Sequence, residues 1–132
     1  MSYLSHRRLR SANKYGARKV VRDGIVFDSL REARRYTELC EMEAQGKISN
    51  LKRQVNYELT PSVKADKFYA AKYGVKKGSV LLQSSIYVAD FVYIDTATEE
   101  MVVEDCKGYK TKDYMLKKKF MFYRYGILIK ET

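Results

Sequence analysis

The chain is poor in several residue types that would open familiar chemistries. It has a single histidine (His6), two cysteines (Cys40 and Cys106), one proline and no tryptophan. One histidine in a basic tail leaves no Cys/His zinc constellation. It also argues against a Ser-His-Asp or Cys-His mechanism. Two cysteines inside predicted elements read as buried thiols of a reducing compartment, not as a disulfide framework. No apolar run is long enough to span a bilayer, and the N-terminus lacks the apolar region of a signal peptide. No membrane partner is therefore expected, and a cytoplasmic location is. Acid is short as well: 16 Asp and Glu stand against 26 Lys and Arg, a net charge of +10. That excess suggests a polyanionic partner, most simply nucleic acid. The bland alternative is a basic soluble protein with no such partner.

What remains is enough for one domain of 132 residues with a real core. Residues 1–18 read as a basic arm carrying Arg7, Arg8 and Arg10, and residues 19–132 as the domain. Lys19–Phe27 predicts a small hairpin turning at Asp23-Gly24. Ser29 followed by Glu32 is a capping box that opens a helix to about Ala44, with Ala33, Tyr36, Thr37, Cys40 and Ala44 as its inner stripe. Ile48–Leu59 begins as a turn and continues as a strand that Pro61 ends. The lysine-rich stretch Ser62–Gly78 is either a loop or holds a short helix around Ala65–Tyr73, and is either functional or disordered. Val80–Ser84 is expected to lead into the central strands. Thr111 caps a second helix, about Lys112–Tyr125, with Leu116, Phe120 and Tyr123 as its core stripe, and Ile127–Lys130 is a last strand.

The most informative stretch is Ile86–Lys107, a predicted hairpin with charges where apolar residues belong. Its first arm runs Ile86–Ile94 and its second Met101–Lys107. Alternation puts Ile86, Val88, Asp90 and Val92 on one face. A turn centred between Ala97 and Thr98 sets Ile94 against Met101, Val92 against Val103, and Asp90 against Asp105. A slip by two would weaken the pairing and keep the face. Like charges opposite each other on adjacent strands are destabilising, so two facing carboxylates amid valines need an external reason. A divalent cation with oxygen ligands supplies one. Glu32 by spacing alone is a helix cap. The lysines of the second helix read either as a solvated face or as a track leading a phosphate backbone to the Asp105–Lys107 corner.

The order of helix, strand, charged strand pair, helix and strand, with Asp90 and then Asp105-Cys106-Lys107, resembles the PD-(D/E)XK nuclease superfamily from about Phe27 to Ile129. The proline of that motif's name is missing, since Ala89 precedes Asp90. Phe27-Asp28-Ser29-Leu30-Arg31-Glu32 looks like the F-x-S-x-x-E opening of phage junction-resolving and transposase-associated members. Tyr87–Phe91 and Val103–Gly108 look like a phage-encoded endodeoxyribonuclease family. The resemblance implies an α/β fold with a mixed sheet, a single restriction-endonuclease-like αβββαβ core behind the basic arm. It implies that Asp90 and Asp105 bind Mg²⁺ or Mn²⁺ with the Cys106 carbonyl, that Glu32 joins them, and that Lys107 orients and activates the attacking water. Gln54 is a secondary active-site candidate, and Glu104 points away.

Arg7, Arg8, Arg10, Lys110, Lys112, Lys117, Lys118 and Lys119 are the expected DNA contacts. The expected function is a metal-dependent endodeoxyribonuclease of phage or bacterial cytoplasm acting on duplex, branched or recombining DNA, working as a homodimer. Competing readings are a non-catalytic nucleic-acid binder and an RNA-directed nuclease on the same core. Candidate dimer contacts are the Lys19–Phe27 hairpin, Phe68–Tyr73, Tyr114 and Tyr125.

Overall fold

Asp23 and Gly24 both take positive φ (50° and 74°), the backbone of a type I′ hairpin turn. They join β1 (Val20–Arg22) to β2 (Ile25–Phe27) in the expected hairpin. The computed structural model describes residues 18–132, so Arg7, Arg8 and Arg10 lie outside the described residues. Ser29 then caps α1 (Leu30–Ala44), its hydroxyl accepting from the Glu32 N–H at 3.1 Å.

The chain continues through β3 (Ile48–Thr60), β4 (Val63–Lys64), α2 (Lys67–Tyr73), β5 (Val80–Leu82), β6 (Ser85–Asp95), β7 (Met101–Asp105), α3 (Lys112–Tyr125) and β8 (Lys130–Glu131). The fold is mixed α/β. Its main sheet has the order β3-β6-β7-β8. The first three strands are antiparallel neighbours, and β8 joins β7 in parallel after the α3 crossover. Helix, three strands, helix, strand is the expected order. The expected register of the central hairpin holds for Ile94 against Met101 and Val92 against Val103, and the pairing ends at Phe91 and Glu104, one step short of the expected Asp90–Asp105 pair.

Two apolar clusters hold the helices to the sheet. Leu39 of α1 packs with Ile48, Phe91 and Tyr93. Tyr114 and Met121 of α3 pack with Leu59, Tyr87, Ala89, Val92 and Val103. The sheet is thus covered by α1 on one side and α3 on the other, the layered solution by which helix and sheet bury their apolar faces.

Several expectations need correction. The inner face of α1 runs through Glu32, Ala33, Tyr36 and Leu39, while Thr37 and Ala44 are exposed. α3 has the expected ends, with Thr111 as its cap, but the opposite face is inside. Leu116 is 55% exposed and Tyr123 77%, and Tyr114 and Met121 are the buried pair. Between them Lys117 and Lys118 are half-buried, so their aliphatic stems complete a polar-looking inner stripe. Tyr114 is therefore no free surface for a partner. Tyr125 is engaged too, edge-on against Tyr57 and donating its hydroxyl to the Glu58 carbonyl. β3 is already strand at Ile48, with a bulge between Ser49 and Lys52 in place of the expected turn. Val80–Leu82 does not lead into the central sheet but pairs with β4 in a separate two-stranded sheet. The last strand is Lys130–Glu131, later than expected.

Candidate metal centre

Strand alternation fails in the middle of β3 and β6, apart from the bulges nearer the ends of β3, and the candidate site forms there. Arg53 of β3 stacks on Phe27 and Tyr36, on the α1 side, whereas Val55 packs into the α3-side cluster. Across the pair, Phe91 faces α1 and Ala89 faces α3. Positions two apart should share a face. Both strands therefore exchange faces at Gln54 and Asp90. Gln54 carries the change in its backbone, with φ at +50°. A non-glycine residue in that region is strained, and such strain concentrates at functional sites. The expectation that Ile86, Val88, Asp90 and Val92 share one face is overturned: Val92 is buried, while Ile86 and Val88 are exposed.

This exchange brings acids from both sides of the sheet together. Glu32, 4% exposed, reaches in from α1. The Gln54 amide donates to Glu32 Oε1 at 3.1 Å and to Asp90 Oδ1 at 3.4 Å, bridging the two carboxylates. Arg53 Nη2 lies 3.7 Å from Glu32 Oε1. Glu32 thus does not spend its side chain solely as a cap. Backbone pairing of β6 with β7 runs as far as Phe91–Glu104. One step further, the Cys106 N–H donates to Asp90 Oδ2 at 2.8 Å. Asp105, 2% exposed, accepts from the Tyr87 hydroxyl at 2.6 Å through Oδ2. Its Oδ1 lies 3.2 Å from Lys107 Nζ, outside hydrogen-bond geometry, so this buried oxygen accepts no hydrogen bond. Lys107 Nζ also sits 4.6 Å from the centre of the Tyr114 ring.

The electrostatics follow from burial first and from neighbouring charge second. Burial, then the Asp105 charge, pushes the Asp90 carboxyl up to about 7, although the Cys106 N–H pulls the other way. Burial and the Asp28 charge push Glu32 above the usual carboxylate range, against the pull of Arg53. Burial and the bond to Asp105 raise the Tyr87 hydroxyl far enough to keep it a donor. Burial raises the Cys106 thiol to about 11, which leaves a neutral side chain and the backbone carbonyl as the ligating atom a hard cation would use.

Among the described residues, no three Asp, Glu, Cys or His side chains form a ready cation cage. The donor set nonetheless fits one. A buried carboxylate oxygen without a hydrogen bond and an adjacent carboxyl resisting ionisation are what a divalent cation with oxygen ligands would relieve. Asp90 and Asp105 are the core of such a set. Glu32 is held next to Asp90 through Gln54.

Glu104 confirms by contrast how a structural acid looks. It is fully buried, takes two bonds from Arg35 (2.5 and 3.1 Å), one from Tyr93 (2.6 Å) and one from Thr132 (3.1 Å). Burial works against its charge, yet Arg35 and Tyr93 hold it below the usual range. Sequence reasoning missed Tyr87, Tyr114 and Arg53 as supports. Their only signal was aromatic or cationic character beside acidic neighbours. Of the expected DNA contacts, Lys110 and Lys118 both pair with Glu131, Lys117 pairs with Asp113, Lys119 leans over Tyr123, and Lys112 is exposed.

A mixed sheet between two helices, with an acidic corner and one lysine, defines the class of protein in structural terms. Residues 12–131 match the family model described as "Protein of unknown function (DUF1064)", and the chain belongs to that family. No curated protein and no solved structure matches it.

Proposed function

We propose that the protein is a metal-dependent endodeoxyribonuclease with a PD-(D/E)XK-type site. The observation that carries this reading is the pair Asp90 and Asp105: Asp90 is raised to about 7 by burial first and by the Asp105 charge second, and Asp105 is bordered by Lys107 at 3.2 Å. The αβββαβ order supports it, with Glu32 on α1, Asp90 on β6, Asp105 at the end of β7 and Lys107 two residues beyond that strand, which stops at Asp105 and does not run to Lys107 as expected.

In this reading Asp90, Asp105 and the Cys106 carbonyl hold Mg²⁺ or Mn²⁺, with Glu32 beside them. When bound, such a cation lowers the pKa of water and neutralises charge at the phosphate, the role that a lone histidine in a tail cannot fill. Tyr87 fixes the orientation of Asp105, and Gln54 holds Glu32 and Asp90 together. Lys107 Nζ orients the attacking water. The partner is duplex or branched DNA, drawn by the net charge of +10. The protein acts in phage-infected or bacterial cytoplasm. Among the described residues no helix is long and apolar enough to cross a membrane. The active form is a homodimer, for which the exposed α3 residues Leu116, Phe120 and Tyr123 are the best-placed contacts.

One observation favours a second reading. Gln54 already satisfies Glu32 and Asp90 without a cation, as a non-catalytic nucleic-acid binder would require. Purified protein given Mg²⁺ or Mn²⁺ and offered duplex, single-stranded and branched DNA and RNA separates these. Cleavage of DNA that EDTA stops is the expected result. Binding without cleavage of any substrate would leave the second reading, and cleavage of RNA alone would change the substrate.

A further inference from the structure

The stretch between β3 and β6 is an ordered appendage that does not belong to the core. β4 and β5 pair only with each other, and the Ala65 and Gly78 amides close the connection across its base (both 2.8 Å). None of the seven residues of α2 is buried. Three of those seven are aromatic: Phe68, Tyr69 and Tyr73. Tyr69 and Tyr73 are stacked at 6.1 Å between centroids, and Phe68 meets Tyr69 edge-on at 5.4 Å. Phe68 is 67% exposed and Tyr73 57%. These rings pack on one another and on the Lys72 ammonium, and leave Phe68 and Tyr73 more than half exposed.

Charge says what covers them. Residues 62–84 hold five lysines (Lys64, Lys67, Lys72, Lys76 and Lys77) and one acid, Asp66. Asp66 is committed to capping α2, accepting from the Tyr69 N–H at 2.8 Å. On α3, by contrast, Lys117, Lys118 and Arg124 are answered by Asp113, Glu131 and Glu58. A second copy of this chain would meet the appendage with like charge, which is repulsive. A polyanion that also carries flat aromatic faces is complementary to both features. In a duplex those faces are already stacked, and only unpaired bases can offer them to a side chain.

We infer that the β4–α2–β5 appendage is a grip for unpaired nucleotides, with Phe68 and Tyr73 stacking on bases and the surrounding lysines tracking the backbone. That DNA rather than RNA is its target rests on the nuclease reading above. The appendage leaves the sheet next to Ser85, five residues along β6 from Asp90, roughly 17 Å at strand spacing. It would therefore favour substrates with single-stranded or branched character near the cut.

The test is binding of the full chain in EDTA, where no cleavage intervenes. The probes are a labelled oligothymidylate and a blunt duplex of equal length. Phe68→Ala and Tyr73→Ala lie on an exposed helix, and alanine is the better helix former, so α2 is retained. Each should weaken oligothymidylate binding about tenfold while leaving duplex binding within about twofold, and Phe68→Trp should restore it. Lys76→Gln with Lys77→Gln should reduce the single-strand salt slope by about 0.7 per lost contact. Equal losses on both probes, or none on either, would overturn the inference. So would a change in self-association, read by sedimentation, with DNA binding intact, since that would make the appendage a protein interface. Oligoribouridylate in a parallel arm reports on the sugar. Failure of the nuclease reading is seen separately, as absence of cleavage by the wild type with metal.

Discussion

At the scale of single residues, the account rests on carboxylates held in costly positions. Asp90 has a folded-state pKa raised from 3.8 to about 7. The folded protein therefore keeps a proton that the unfolded chain releases across this interval. Stability is highest below it and falls as pH rises toward 7. Glu32, also raised, adds to the same slope, whereas Glu104, held low, contributes stability that is lost only in acid. Asp90→Asn should flatten the fall in urea midpoint between about pH 4 and about pH 7 in EDTA. An unchanged slope would place the titrating group elsewhere. Lys107→Met should reduce cleavage by about 10²–10⁴-fold, the range for a group that manages a proton, with DNA binding retained. Tyr87→Phe removes only the hydroxyl that orients Asp105. Metal affinity or activity should drop about 10–100-fold, read as a shift in the Mn²⁺ concentration needed for half-maximal cleavage. A variant indistinguishable from wild type would make that 2.6 Å bond merely structural. For Glu32→Gln, a large loss of activity with an unchanged melting temperature supports its place beside the metal, and full activity returns it to capping.

At the scale of elements, local signals were legible and long-range ones were not. The caps Ser29 and Thr111, the Asp23-Gly24 turn and the register of Ile94–Met101 depend on neighbouring residues or on one short turn, and the sequence carries them. Within the candidate site, Asp90 and Asp105 were legible as charges misplaced on facing strands, and the resemblance supplied the expected roles of Glu32, Lys107 and Gln54. What failed was any inference about which side faces in. Leu116, Phe120 and Tyr123 make the more hydrophobic stripe of α3, yet tertiary packing buries Tyr114 and Met121 with lysine stems between. The exchange of faces at Gln54 and Asp90 was invisible because alternation assumes an ordinary β backbone, and a positive φ at glutamine has no local sequence signature. The Arg35–Glu104 clamp joins residues 69 apart, and nothing in either neighbourhood announces the other. The corrected face of α3 is testable. Met121→Ala should cost about 2–5 kcal/mol in urea unfolding, as expected for a buried methionine. Leu116→Ala should stay within about 0.5 kcal/mol at concentrations where the chain is monomeric. The reverse ranking would restore the stripe read from sequence.

At the scale of the whole molecule, the surplus of positive charge and the unpaired apolar face of α3 serve different ends. In the proposed reading, the charge draws DNA and the apolar face joins subunits. On that reading one domain, with one acidic corner, cuts one strand, so paired cuts in a junction or duplex need two copies in fixed relation. Leu116→Glu with Phe120→Glu should yield a monomer in sedimentation that still nicks but no longer makes paired cuts. Paired cutting by a proven monomer would remove the dimer from the scheme.

The central claim is that Asp90 and Asp105 form a metal site that hydrolyses DNA. It is tested most directly by measuring Mn²⁺ binding and junction cleavage in the same samples of wild type and Asp105→Asn. The account predicts that the wild type binds Mn²⁺ and cleaves. The variant should do neither, while remaining folded and still binding DNA. A variant that cleaves like the wild type would contradict it, as would a wild type that neither binds the ion nor cuts.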